Sequence, residues 1–163
     1  MKIAVCPGSF DPVTMGHMDI IRRSASMFDK VIVVVMTNYQ KKHTYAFSPQ
    51  ERAELIKRCT ADMPNVEVDC YDGLLAEYAR QKHAIALVKG LRAVSDFEYE
   101  FQQALTNKKL NCELETVFLT CQAENMFLSS SVVKQVCELG GDISNFVPEI
   151  IRTDIIKRIC KGE

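Results

Sequence analysis

Apolar positions along the chain fall into two alternating patterns. Short runs at "KIAVC" (2–6), "KVIVVVM" (30–36), "NVEVDCY" (65–71), "AIALVKG" (84–90) and "ETVFLTC" (115–121) predict five strands. The unbroken β-branched run at 30–36 predicts a strand buried on both faces. Between the runs, apolar residues recur at helical spacing. "MDIIRRSASMF" (18–28) predicts a helix that begins near Gly16. Ser48-Pro49-Gln50-Glu51 is a helix start, with Ser at the N-cap, Pro at the first helical position and Glu at the third, for a helix running to about Ala61. "LLAEYARQK" (74–82) supplies a third helix. Ser95-Asp96-Phe97-Glu98 repeats the capping pattern and is expected to open a helix ending near Leu110. "SSSVVKQVCEL" (129–139) and "PEIIRTDIIKRIC" (148–160) give two more.

This alternation, with no linker, repeat or low-complexity segment, predicts one α/β domain over residues 1–163 on a doubly wound, five-stranded parallel sheet. In such sheets ligands bind beyond the carboxyl ends of the strands, near the point where strand order reverses. Four of the segments expected there carry chemistry. Ser9, Asp11 and His17 follow the first strand, Lys41 and Lys42 the second, Lys89 and Arg92 the fourth, and "ENMFLSSS" (124–131) the fifth. Cations, hydroxyls, glycines and a histidine on one rim suit a polyphosphate.

"AVCPGSFDPVTMGH" (4–17) is the most unusual of these segments. Pro7, Gly8, Pro12 and Gly16 exclude a regular strand or helix through its middle, so it reads as an elaborate strand-to-helix turn. Such turns, ahead of a helix N-terminus, are where α/β proteins bind phosphate. Each residue also has a plainer reading. His17 could be a capping or surface histidine, Lys41-Lys42 a solvated loop, Gly90-Leu91-Arg92 a simple turn, and Ser129-Ser130-Ser131 a helix N-cap. Neither G-x-G-x-x-G nor the Walker pattern occurs, and Ser9 lacks the G-x-S-x-G elbow of a hydrolase nucleophile.

Composition removes several classes. A net charge of −1, with no basic run longer than Lys41-Lys42 or Lys108-Lys109, does not support a nucleic-acid partner. No apolar stretch approaches transmembrane length and no signal peptide precedes the first strand, so a cytoplasmic protein without membrane association is expected. Seven cysteines, an odd number without C-x-x-C spacing, favour free thiols. The three histidines are not grouped with them, so no metal-ligating residues are assigned.

Three segments in order carry a resemblance that covers nearly the whole chain. "PGSFDPVTMGH" is similar to the T-x-G-H signature of the nucleotidyltransferase superfamily, "LSSSVVK" is similar to its second signature, and "KGLRAVSDFEYE" resembles the bacterial phosphopantetheine adenylyltransferase family in particular. The resemblance implies a Rossmann-like nucleotidyltransferase fold and transfer of the adenylyl group of ATP, with Mg2+, to 4'-phosphopantetheine. Dephospho-coenzyme A and pyrophosphate are the products, made by in-line attack without a covalent intermediate. It further implies a homohexamer of two stacked trimers, with coenzyme A as a feedback inhibitor. Carried over by position, His17 stabilises the transition state, assisted by Lys41 and Arg92. Ser9, Phe10, His17, Gly90, Leu91, Arg92, Glu100, Asn125, Met126, Phe127, Leu128, Ser129, Ser130 and Ser131 bind ATP. Ser9, Lys41, Leu75 and Lys89 bind phosphopantetheine. Lys89 stands where the family has arginine, Asn125 where a bulky aromatic often sits, and Glu138 at a position that can be arginine.

Overall fold

The apolar runs become the strands that their pattern predicts. The computed structural model describes residues 1–37 and 44–160, apart from the side chains of Val94 and Ser95. In chain order the elements are β1 (Ile3–Gly8), α1 (Met15–Met27), β2 (Lys30–Met36), α2 (Pro49–Cys59), β3 (Val66–Tyr71), α3 (Leu75–Gln81), β4 (Ala86–Leu91), α4 (Val94–Leu110), β5 (Glu115–Thr120), α5 (Ser130–Glu138) and α6 (Glu149–Ile159). A short 3₁₀ turn, Ala123–Asn125, precedes α5.

The sheet is parallel throughout, in the order β3-β2-β1-β4-β5. Alternate residues of β1, β2 and β4 enter opposite cores. Ala4, Cys6, Val31, Val33, Val35 and Val88 pack under α1, α2, α5 and α6 on one face, while Ile3, Val5, Ile32, Val34 and Leu87 meet α3 residues Ala76, Tyr78 and Ala79 on the other. Burying each such Val, Leu or Ile stabilises the fold by about 1.5–3 kcal/mol before chain entropy is counted.

Strand order reverses at β1, and the pairing changes there too. β1 pairs with β2 over six positions, from Ile3↔Lys30 to Gly8↔Val35, but with β4 only at Ala4↔Ala86 and Val5↔Leu87. Beyond Val5 and Leu87 the two strands are no longer paired. The crevice of a doubly wound sheet therefore opens between the ends of β1 and β4.

Ser48 and Glu51 form the capping box that their spacing predicts, with Pro49 at the first helical position. The second expected box does not form. α4 starts one residue earlier than Ser95, at Val94, with Ala93 as N-cap and no side-chain cap bond. The reason lies in Asp96, whose carboxylate turns back to Arg92, accepting from its backbone N–H at 3.4 Å and its Nε at 3.2 Å. α4 also buries none of its aromatic residues in this chain. Phe97, Tyr99, Phe101 and Leu105 are all exposed, with Phe97 stacked on Phe101 at 5.4 Å.

Candidate functional site

The turn after β1 is built around Gly8 and Phe10. Phe10 has φ +48, a left-handed conformation that costs a non-glycine residue about 1–2 kcal/mol. That backbone folds the Phe10 ring back over Gly8, where a Cβ would lie 2.8 Å from the ring. The ring is buried and meets His17 edge-on, with centroids 5.0 Å apart.

His17 is fixed by α1's own cap. Thr14 is the N-cap, and its hydroxyl accepts from the His17 N–H at 3.3 Å. In return, His17 Nδ1 lies 3.0 Å from the Thr14 backbone nitrogen, the place a glutamate side chain takes in the usual capping box. The plain capping reading of His17 is therefore met by this geometry. Burial, and to a lesser degree the charge of Arg92, lower the His17 pKa to about 4.

Three more segments converge on this turn. Gly90 lets α1 close onto β4, since a methyl there would come within 2.9 Å of Ile20 Cγ1. Arg92 follows β4 and donates from Nη1 to the Leu128 carbonyl at 2.8 Å, joining the β4 loop to the segment ahead of α5. Asn125 packs beside Gly16, whereas Met126 and Phe127 are exposed, the latter resting edge-on against Phe146 at 5.4 Å. Ser129 caps α5 by accepting from Val132 N–H at 3.1 Å, and Ser130 donates from Oγ to the Pro12 carbonyl at 2.7 Å. Ser129 thus caps its helix, and Ser130 ties that helix to the turn after β1. A cleft of about 600 Å³ runs past Ser9, Asp11, Ser130, Ser131, Lys134 and Arg158.

Lys89 and Glu100, for which the resemblance implies different substrates, sit together. Lys89 Nζ is 3.1 Å from Glu100 Oε2, and each side chain is about one-fifth exposed. Leu75 begins α3 and, like Met36 and Tyr71, packs against the second core. Lys41 and Lys42 lie outside the described residues.

Two buried charged groups carry more than the sequence reading gave them. Asp11 is 2 % exposed; its Oδ1 accepts from Phe47 N–H at 3.0 Å, and its Oδ2 from Ala46 N–H and Lys134 Nζ, both at 2.9 Å. It therefore clamps the turn onto residues 46 and 47. Arg52 is 1 % exposed and donates to the Ser9 carbonyl at 2.7 Å. A signal for Arg52 was present in the sequence: Arg52, Leu55, Ile56 and Cys59 form one i, i+3, i+4, i+7 stripe, and all four are buried. Asp11 gave no such signal, because a carboxylate beside a proline in a turn reads the same whether it is buried or solvated.

A family profile described as cytidylyltransferase-like matches residues 5–136. Phosphopantetheine adenylyltransferase from Caldanaerobacter subterraneus subsp. tengcongensis is 55% identical over 99% of this chain and 100% of its own length. The protein of the same description from Clostridium beijerinckii is 54% identical over 98% and 99%. A solved structure described as a nicotinate-nucleotide adenylyltransferase from Vibrio parahaemolyticus covers 97% of this chain and 96% of its own at a TM-score of 0.68, with 19% identity, a likeness of fold. From the T-x-G-H turn at the divergence of β1 and β4 to the serine-capped α5, this chain belongs to the cytidylyltransferase-like nucleotidyltransferases and, within them, to the phosphopantetheine adenylyltransferase family.

Proposed function

We propose that this protein transfers the adenylyl group of ATP to 4'-phosphopantetheine, giving dephospho-coenzyme A and pyrophosphate. A phosphate oxygen of the acceptor attacks the α-phosphorus in line as the bond to the leaving pyrophosphate breaks. No protein nucleophile is needed. Catalysis is then positioning and charge stabilisation.

The observation that carries the reading is the state of His17. A backbone N–H can only donate, so Nδ1 accepts from Thr14 and the neutral ring keeps its proton on Nε2. With a pKa near 4 the ring stays neutral at physiological pH, a fixed hydrogen-bond donor rather than a base. Such a donor suits the charge that develops on the α-phosphate, with Arg92 and Lys41 adding positive charge. Ser9, Phe10, Gly90, Leu91, Glu100 and the segment 125–131 hold ATP, while Lys89 takes the acceptor phosphate and Leu75 the pantetheine arm.

Magnesium enters as MgATP. Mg2+ bound to substrate phosphates is the usual arrangement for this ion, so the triphosphate oxygens would supply ligands to it. A homohexamer belongs to the same proposal, supported by the uncovered aromatic face of α4, as does feedback by coenzyme A, which contains the phosphopantetheine moiety. A cytoplasmic site of action fits a reaction that consumes ATP. Among the described residues no helix is long and apolar enough to cross a membrane.

Pyrophosphate release with ATP, measured across phosphopantetheine, nicotinamide mononucleotide and nicotinate mononucleotide, tests the acceptor. Release with phosphopantetheine alone is expected; release only with a mononucleotide overturns the assignment.

A further inference from the structure

Arg52 occupies a costly position. It is 1 % exposed on the apolar stripe of α2, where leucine or methionine would pack without desolvating a charge. Among the described residues its guanidinium meets only neutral groups: the Ser9 carbonyl at 2.7 Å, the Ser48 carbonyl at 3.3 Å and the Tyr45 ring, 4.2 Å from Cζ to centroid. No carboxylate among the described residues pairs with it. A buried cation retained without an anion indicates that its shortest bond matters, and that bond goes to the catalytic turn.

The Ser9–Phe10 peptide is trans, since the cis bond among the described residues is Asp11–Pro12. In a trans peptide the C=O and N–H point in opposite directions. With the Ser9 carbonyl turned in toward Arg52, the Phe10 N–H faces away from α2, and it has no acceptor among the described residues. Phe10 continues from this peptide with a left-handed φ of +48, a strained state for a non-glycine residue. A cation on the carbonyl also polarises the peptide and strengthens the N–H on its far side as a donor.

We propose that Arg52 is a positioning residue for adenylyl transfer: by donating to the Ser9 carbonyl it orients and polarises the Ser9–Phe10 peptide, so that the Phe10 N–H is presented to the phosphates of ATP. The proposal rests on the adenylyl-transfer reading above, and its two measurements separate the failure of one from that of the other.

The first measurement follows the Phe10 amide in ¹⁵N-phenylalanine-labelled protein as α,β-methylene-ATP is added. Wild type and Arg52→Lys, which keeps the charge and one donor, are expected to show a downfield shift that Arg52→Gln lacks. The second is turnover with ATP and phosphopantetheine. Arg52→Gln is expected to lose kcat by about 100-fold with much smaller changes in KM, and Arg52→Lys to recover most of it, because displacing a reacting group by about 1 Å costs roughly that much. A merely structural Arg52 would change the melting temperature of both variants and leave both readouts in place. An unshifted Phe10 amide in wild type, Arg52→Gln turnover near wild type, or Arg52→Lys as impaired as Arg52→Gln overturns the proposal. If wild type releases no pyrophosphate with phosphopantetheine, the adenylyl-transfer reading fails while the amide still decides the role of Arg52. Should Arg52→Gln not fold, Arg52→Met, which keeps the volume of the side chain and removes its charge and donors, takes its place: a silent Phe10 amide with lowered kcat supports the proposal, and a wild-type amide response and turnover refute it.

Discussion

Lys89 Nζ on β4 lies 3.1 Å from Glu100 Oε2 on α4, both side chains largely withdrawn from solvent. The contact is electrostatic more than hydrogen-bonded, because the buried Oε2 has no hydrogen-bond partner among the described residues. A ligand phosphate arriving at Lys89 must therefore compete with Glu100 for the ammonium.

That competition has a measurable sign. Glu100→Gln removes the competing charge and is expected to tighten phosphopantetheine binding by a few-fold, on the order of the 1 kcal/mol that such partly exposed pairs are worth. Lys89→Ala is expected to weaken the same binding by about 10-fold or more. Calorimetric titration of both variants checks this, and weaker acceptor binding in Glu100→Gln would show that the pair orients Lys89 instead.

His17 makes the fold sensitive to acid. Its folded pKa of about 4 lies below the ordinary value of 6.5, so between those pH values the unfolded chain binds the extra proton. Stability attributable to His17 is then fully present above pH 6.5 and is lost as pH falls toward 4. Wild type is expected to lose about 2 kcal/mol more than His17→Gln across that window in denaturant titrations. In NMR spectra the ring should hold the Nε2–H form at pH 7 and titrate near 4. A titration midpoint near 6.5 would contradict this.

Asp11 holds two backbone N–H groups and the Lys134 ammonium in a buried place. Asp11→Ala leaves all three without that acceptor and is expected to destabilise the fold by about 3 kcal/mol, visible as a lower chemical denaturation midpoint. An unchanged midpoint would mean that residues 46 and 47 are held by other contacts.

The aromatic face of α4 predicts assembly. Static light scattering of wild type is expected to give six times the chain mass of 18.4 kDa, and Phe97→Asp with Phe101→Asp to give smaller species. A wild-type mass equal to one chain rules out the hexamer.

Much of this architecture was legible in the sequence because local and global signals agreed. The run Val31-Ile32-Val33-Val34-Val35 can be satisfied only by a strand covered on both faces, and Ser48-Pro49-Gln50-Glu51 starts a helix with no help from elsewhere. What was not legible depends on partners distant in sequence. Ser95 offered a good local cap, yet α4 begins at Val94 while Asp96 binds Arg92. Nothing local marked Lys89 and Glu100 as neighbours, since their meeting depends on how α4 lies against β4. Arg52 was legible in its stripe but hidden by its residue type, which ordinarily marks a solvated position.

Adenylyl transfer at the His17 turn is tested most directly by one labelling measurement. Wild type and His17→Ala are incubated with magnesium, phosphopantetheine and ATP labelled with ³²P at the α-phosphorus. In wild type the label is expected to appear in dephospho-coenzyme A, and His17→Ala to form it roughly 100- to 1000-fold more slowly while ATP binding changes far less. Label absent from dephospho-coenzyme A in wild type, or His17→Ala forming it at the wild-type rate, would contradict the account.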